Sequence, residues 1–377
     1  MNPHSTSDST GVRRLYILTG EPSGEAHAAA VVRAMRDVQP DLAIRGIGGD
    51  AMAAEGVELV EHVRHTAIMG FAEVLRKIGY IRQLMARVKD DIQRFGPDRI
   101  LIVDYPGFNL RMATWARKAG YPVDMYIAPQ VWAWKRRRIH RMARDLQRLY
   151  VILPFEAAHY AEVPLRVEYV GHPLADDVLP PSPGSAAEWR QRMGLPLDGQ
   201  ILALLPGSRR QEIERMLPCL QDAAGQLTSF LPVVAGAPGR VREDYNTALP
   251  VVFGETRALY RHATAGIVTS GTATLEAALS GMPQVVAYKT SPLTYRLARW
   301  FSNVRFISLV NLVLNREVVP ELIQGACTPD KLSAALKDRC TPASLSRHQE
   351  DLGQLRTALS KKGAALNVAR GVLRLDG

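Results

Sequence analysis

Hydrophobic positions along the chain alternate between two textures. Short, nearly continuous apolar runs end in Gly or Pro, and between them lie longer stretches with apolar residues three or four apart. The runs predict strands buried on both faces, and the longer stretches predict helices packed by one face. In the first half the strands are "RLYILTG", "LAIRGIGG", "RILIVDYP", "VDMYIAP", "RLYVILPF" and "RVEYVG". "GEAHAAAVVRAMRDV" predicts a helix with Ala26, Ala30, Ala34 and Val38 on one face, and a second helix runs from about Met69 to Phe95. "LADDVLPPSPGSAAEW" breaks the rhythm, with Pro180, Pro181, Pro183 and Gly184 marking a linker. The alternation restarts at "ILALLPG", "FLPVVAG", "PVVFG", "AGIVTSG" and "PQVVAY", and from about Ser344 the composition is helical.

The expected class is therefore α/β, with parallel sheets and crossover helices. The predicted organisation is a tail over 1–12, an N-terminal α/β domain over 13–180 and a second over 181–343. A helical segment over 344–377 is expected to pack back on the first domain. Two such halves across a hinge predict a cleft where ligands bind.

Composition narrows the functional classes. At 377 residues, 47% hydrophobic and 22% charged, the chain has globular values. Cys219, Cys327 and Cys340 are too scattered for a disulfide framework or a zinc pattern, which points to a reducing cytoplasm. No apolar run is long enough for a membrane span, and "LYILTG" is too short for a signal-peptide core. The net charge of +10 favours an anionic partner: nucleic acid, an anionic membrane surface or a phosphorylated substrate.

Several motifs are absent. Without a Gly-Lys dipeptide there is no P-loop, and no Asp-x-Asp offers a metal–nucleotide-sugar signature, so no metal and no cofactor are expected. Gly46-x-Gly48-x-x-Ala51 imitates a dinucleotide fingerprint but lacks an acid at the required distance; a tight turn with close helix packing explains it better.

The chemistry concentrates where strands end. "RILIVDYPGFN" drives a buried strand into one carboxylate, Asp104, and then stops at Pro106 and Gly107. A carboxylate there can serve as a general base, or it can tie down the turn by accepting backbone amides. In "TGEPSGE", the small residues Gly20, Ser23 and Gly24 at a helix start suit an anion or a sugar hydroxyl; the alternative is a plain turn with Ser23 as helix cap. "LLPGSRRQE" turns at Pro206-Gly207-Ser208 and presents Arg209, whose guanidinium can fork onto phosphate oxygens. In "VTSGTATLEAALSG", Ser270, Gly271 and Thr272 open a helix whose dipole can hold a diphosphate, or they merely cap it. Glu276, one turn in, can take a ribose diol. With no metal motif, leaving-group charge would fall to Arg209 and the helix start at Ser270.

Two further stretches mix apolar and basic residues. "AIMGFAEVLRKIGYIRQLMARVK" carries Ile68, Phe71, Val74, Leu75, Ile78, Ile81 and Met85 interleaved with Arg76, Lys77 and Arg82. It reads either as a helix in an anionic membrane interface or as one packed on its own sheet. "VWAWKRRRIHRMARDLQR" combines Trp132 and Trp134 with Lys135, Arg136, Arg137, Arg138, Arg141 and Arg144, suiting bases, a sugar phosphate, lipid headgroups or plain solvent.

Taken in order, "GEPSGE", "MGFAEVL", "DYPGFN", "PQVWAWKRRR", "LPFE", "GHPL", "LLPGSRRQEI", "SGTATLE" and "LVNLVLNREVVPELIQ" resemble the lipid-A-disaccharide synthases, from about Arg14 to Gln324. The resemblance implies a GT-B architecture, two Rossmann-like domains with parallel sheets facing a central cleft. It implies transfer of 2,3-diacylglucosamine from its UDP derivative to 2,3-diacylglucosamine 1-phosphate, giving a β(1→6) disaccharide phosphate and UDP. It assigns Asp104 as base, Arg209 and the Ser270–Thr272 loop to the phosphates and Glu276 to the ribose, with Asn311 and Glu317 lining the site. A capped and solvated helix is the alternative for the last two. The greasy substrate implies an acyl entrance at Ile68, Phe71, Leu75 and Ile78, and a peripheral place on the cytoplasmic face of the anionic inner membrane. An oligomer is compatible with the sequence.

Two departures bear on the base. Glu25 stands where many relatives carry Asp, and Gly107 where some carry a second acid, leaving Asp104 as the carboxylate of its loop. Glu25 and His172 are the other candidates. Competing classes are a UDP-sugar epimerase, a GlcNAc transferase, or a basic nucleic-acid-binding protein; the last has no use for "DYPGFN" or "SGTATLE".

Overall fold

Seven parallel strands make the first sheet: β1 (Arg14–Leu18), β2 (Ala43–Gly48), β3 (Glu58–His62), β4 (Arg99–Val103), β5 (Val123–Tyr126), β6 (Arg148–Val151) and β7 (Arg166–Tyr169), in the order β3-β2-β1-β4-β5-β6-β7. The computed structural model describes residues 11–66, 78–129, 137–176, 185–291, 295 and 305–375. The chain divides into two units, one of residues 1–176 with 361–377 and one of residues 177–360.

Alternation within each strand of the first unit feeds two cores. Tyr16, Leu18, Ile100 and Ile102 join one, while Leu15, Ile17, Leu101 and Val103 join the other. Every residue of β4 is buried, which is why the run reads as continuously apolar. Parallel neighbours need crossover connections, and helices such as Pro22–Val38 and Pro106–Lys118 supply them. Leu18 pairs with Ile102, so the carboxyl ends of β1 and β4 lie side by side. Strand order reverses between them, which makes this junction the switch point where open α/β sheets bind ligands.

The second unit repeats the plan. Its strands are β8 (Gln200–Leu205), β9 (Phe230–Gly236), β10 (Val251–Phe253), β11 (Ala263–Thr269), β12 (Gln284–Tyr288) and β13 (Glu321–Ile323), all parallel, in the order β10-β9-β8-β11-β12-β13. Here the order reverses between β8 and β11.

Three expectations change. The Pro22–Val38 helix faces its core with Ala28, Val31, Val32 and Met35, whereas Ala26 and Ala30 are exposed and Val38 is 43% exposed. A spacing of four drifts by roughly 40° per step around a helix, so that row winds off the buried stripe. No apolar run predicts the strands β3 and β13. Both are short, both end their sheets, and neither contains a fully buried residue, so neither carries a strong apolar run. Finally, the C-terminal segment is shared: helix Pro342–Ala358 belongs to the second unit and helix Ala364–Leu373 to the first. There Val368, Val372 and Leu373 join the core of Val31 and Val32, and Asp176 accepts from the amides of Gly363 and Ala364 at 2.6 and 2.7 Å.

Among the described residues no helix is long and apolar enough to cross a membrane. Gly48 matches the structural reading of its glycine motif, since a Cβ there would sit 2.7 Å from the Met52 sulfur on the next helix.

Candidate active site

Asp104 leaves β4 with φ +47 and is followed by Tyr105 at φ +49, two successive left-handed residues before Pro106 opens a helix. Such backbone costs on the order of 1–3 kcal/mol per non-glycine residue and persists only where its surroundings impose it. The imposing group is Asn109. Fully buried, its amide nitrogen donates to the carbonyls of Asp104 at 2.7 Å and of Leu18 and Val103 at 3.2 Å, joining the ends of β1 and β4. Tyr105 braces the same turn through its hydroxyl on the Thr66 carbonyl at 3.1 Å.

Gly20 owes its identity to this turn: a Cβ there would lie 2.0 Å from the Tyr105 ring. A Cβ on Gly24 would meet Asp104 Cβ at 3.8 Å, so the first turn of the Pro22–Val38 helix covers the end of β4. Ser23 is exposed in that turn, and the cap is Glu21, which makes no side-chain cap bond; the reading of Ser23 as cap does not hold. Burial raises the Asp104 carboxyl above the ordinary range. The nearby Glu21 charge adds to this, and an amide hydrogen bond from Tyr105 opposes it. The result is a half-buried acid with enhanced proton affinity at a switch point.

The two other candidate bases are occupied. Glu25 is buried and accepts from the Met52 amide at 2.8 Å. His172 is buried, and desolvation, aided by His27, lowers it to about 4. Its Nδ1 accepts from the Leu174 amide at 3.2 Å, which leaves the proton of the neutral ring on Nε2.

In the second unit the loop after β8 is built around Glu212. Its carboxylate accepts from the amides of Ser208 and Arg209 at 3.1 and 3.2 Å, and from the Arg209 guanidinium at 3.2 Å. Gly207 sits at φ +112, and a Cβ there would strike Glu212 at 2.7 Å. Arg209 is 62% exposed, and an exposed pair of this kind contributes only about 0–1 kcal/mol, so its guanidinium is readily recruited by an anion. Glu212 was missed in the sequence, although an acid three residues past a helix cap is a recognisable signal.

The neighbouring loop ends β11. Ser270 donates from its amide to Ala287 at 3.2 Å and from its hydroxyl to Ile307 at 2.9 Å. Gly271 is the cap of helix Thr272–Leu279 and makes no side-chain cap bond, and Gly271 and Thr272 are exposed. Ser270 and Thr272 are therefore not capping side chains; the Thr274 amide turns back to the Gly271 carbonyl at 3.2 Å, and the amides ahead of it, without a capping side chain, suit a ligand or water. Glu276 is half-buried near Tyr260. The topology thus brings together Gly20, Gly24 and Asp104 in the first unit, and Arg209 with Ser270–Thr272 in the second.

Asn311 is corrected. It is fully buried; its oxygen accepts from the amides of Val318 and Val319, and its nitrogen donates to the Val319 carbonyl and to Glu321. With both amide groups committed, it holds the approach to β13 rather than lining a site. Glu317 is exposed nearby.

Ile68, Phe71 and Leu75 lie outside the described residues, as do Trp132 and Trp134; Ile78 opens helix Ile78–Phe95, and its side chain is not described. Further along that helix, Ile81 and Met85 are half-buried and pack against the core of the first unit, as the reading of a helix packed on its own sheet expects. Arg144 is tied to Asp145 at 2.7 Å and Arg141 to Thr114 at 2.8 Å. Among the described residues no cluster of His, Cys, Asp or Glu is placed to hold a metal ion.

Comparisons with known proteins extend this geometry. A family model described as lipid-A-disaccharide synthetase matches residues 15–368. The lipid-A-disaccharide synthase of Myxococcus xanthus is 39% identical over 97% of this chain and 98% of its own length. Lipid-A-disaccharide synthase 1 of Legionella pneumophila is 37% identical over 93% and 94%. Among solved structures, the kitacinnamycin glycotransferase superposes with a TM-score of 0.62 at 17% identity, covering 97% of this chain and 99% of that one. Medicago truncatula UGT71G1 complexed with UDP-glucose gives 0.60 at 12%, covering 96% and 97%. At such identities these two likenesses bear on fold alone.

Proposed function

The chain belongs to the lipid-A-disaccharide synthase family of glycosyltransferases, with the GT-B fold, and from that premise we propose how its residues divide the reaction. The donor is UDP-2,3-diacylglucosamine and the acceptor 2,3-diacylglucosamine 1-phosphate. Asp104 takes the proton of the acceptor's 6-hydroxyl as that oxygen attacks the anomeric carbon. The bond from that carbon to the diphosphate breaks on the opposite side, so the configuration inverts and UDP leaves. Charge on the departing diphosphate is met by Arg209 and by the amides at the start of helix Thr272–Leu279. Glu276 receives the ribose, and Ser23, with its neighbours Gly20 and Gly24, borders the acceptor side.

The observation that carries this reading is Asp104 itself. It is a carboxyl at the switch point of the first sheet, made more basic by burial and aimed by a costly turn. A purely structural acid would not need two left-handed residues to present it, since Asn109 already closes the turn. The net charge of +10 supports a peripheral place on the anionic cytoplasmic face of the inner membrane, where both acylated substrates reside.

The test is UDP release from acylated and from unacylated UDP-glucosamine, with mass detection of the sugar product. The expected outcome is UDP release coupled to a disaccharide phosphate, with the acylated donor only. UDP release without a disaccharide, or epimerisation of the donor sugar, would sink the proposal.

A further inference from the structure

We propose that the carboxyl ends of β12 and β13 form a second anion site in the second unit, distinct from the loops at Arg209 and Ser270, in which Lys289 and Arg215 hold a phosphate group of a substrate. A cavity of about 250 Å³ opens there, lined by Arg215, Lys289, Thr290, Gln324 and Gly325. Two of these residues are cations and none is a carboxylate. The volume falls below the roughly 300–1,000 Å³ of pockets that take a whole drug-sized ligand. It suits a compact anion with its first atoms of sugar.

Lys289 follows β12 directly and is half-buried. Its ammonium has the Cys219 sulfur at 3.4 Å, and a thiol is a weak acceptor. A partly desolvated ammonium with so poor a partner carries a solvation cost that an incoming phosphate would offset. Arg215 is exposed and reaches the same cavity from helix Arg210–Gly225; among the described residues it forms no ion pair, whereas Arg209 pairs with Glu212 and Arg210 with Glu214.

The cavity wall is also braced. Gln324, at φ +53, accepts from the Thr290 amide at 2.7 Å and donates back to the Thr290 carbonyl at 3.1 Å. This reciprocal amide bridge fixes the loop after β12 to the end of β13, and the Lys289 amide is further anchored on the Met216 sulfur. The backbone that carries Lys289 is thus set before any ligand arrives, which lowers the ordering cost on that side of the cavity, while the exposed Arg215 side chain closes from the helix. Because β12 is the direct parallel neighbour of β11, the cavity opens on the same carboxyl edge of the sheet as the Ser270 loop.

The inference rests on the reading that this enzyme handles phosphorylated sugars. Two substrates would bring the phosphate, the sugar 1-phosphate acceptor and the nucleotide diphosphate. Calorimetry with inorganic phosphate, glucosamine 1-phosphate and UDP on wild type, Lys289→Met, Arg215→Gln and Lys289→Arg separates the cases. The expected result is phosphate binding to the wild type that weakens about 10- to 100-fold in Lys289→Met and in Arg215→Gln, and largely returns in Lys289→Arg. A parallel loss for glucosamine 1-phosphate assigns the cavity to the acceptor, and one for UDP assigns it to the donor. Wild type that binds no phosphate, or folded variants that bind all three probes as wild type does, overturns the site. A wild type that binds phosphate but not UDP counts against the proposed function instead, and the phosphate arm still decides the cavity.

Discussion

The two switch points share one topology and carry opposite chemistry. In the first unit the ends of β1 and β4 present Glu21 and Asp104, with the imidazoles of His27 and His172 kept neutral by burial. In the second, the ends of β8 and β11 present Arg209 and the uncapped start of helix Thr272–Leu279, with Lys289 one strand further. The backbone differs in the same sense. The first turn is forced into left-handed geometry at Asp104 and Tyr105 and sealed by the Tyr105 ring against Gly20, whereas nothing stands within 4 Å of a Cβ on Gly271. On the proposed assignment the first turn aims a base, which needs a rigid turn, and the second receives a phosphate, which needs exposed donors. One sheet plan can serve both because the loops, not the strands, hold the difference.

Asp104→Asn, which keeps the shape and deletes the proton acceptor, should separate the two switch points most strongly. Turnover should fall by about 10²–10⁴, with UDP affinity unchanged in calorimetry. Because the folded-state pKa of Asp104 is raised, its favourable contribution is present below the unfolded value of about 3.9 and lost as pH rises through the folded value. The ionised acid therefore costs stability at neutral pH. Melting temperature of the Asn variant should match or slightly exceed wild type at pH 7–8, and the gain should vanish in acid. In the wild-type pH–rate profile the acid limb should stand above the ordinary carboxylate range. Near-normal turnover in a folded variant would take the base away from Asp104 and turn the test to Glu25 and His172.

Asn311→Ala tests whether the second unit's polar residues all serve ligands. It strips partners from the buried amides of Val318 and Val319, so a stability loss of about 2–4 kcal/mol is expected by denaturant titration, with UDP affinity held. A variant that melts normally but binds UDP poorly would return Asn311 to the site.

Arg209→Ala should weaken UDP by one to two decades, for a lost charge-assisted contact of roughly 1.5–3 kcal/mol; wild-type affinity in that variant would take Arg209 off the phosphates. Smallest is Glu276→Gln, expected to narrow the affinity gap between UDP and its 2′-deoxy analogue by severalfold while leaving turnover at saturation nearly intact.

A short window of residues specifies much of this protein. The buried strands are legible from runs such as Ile100–Val103, and the turn residues from Tyr105-Pro106-Gly107 and Pro206-Gly207-Ser208. The placement of Asp104 and Arg209 just past strand ends follows from the same windows, because apolar periodicity and turn chemistry act between near neighbours. Tertiary structure alone decided the rest. Pairing of Leu18 with Ile102 sets "TGEPSGE" beside "DYPGFN" across more than eighty residues of chain. Asn109 acquires its duty only once both strand ends are there to be bridged. Asn311 reads as a polar site residue until Val318, Val319 and Glu321 fold around it and consume its hydrogen bonds. The buried stripe of the first helix, the edge strands β3 and β13, and the convergence of Arg215 with Lys289 and Gln324 belong to the same class. In each case the deciding quantity is desolvation or a hydrogen-bond partner distant in sequence, and neither exists until the sheet has assembled.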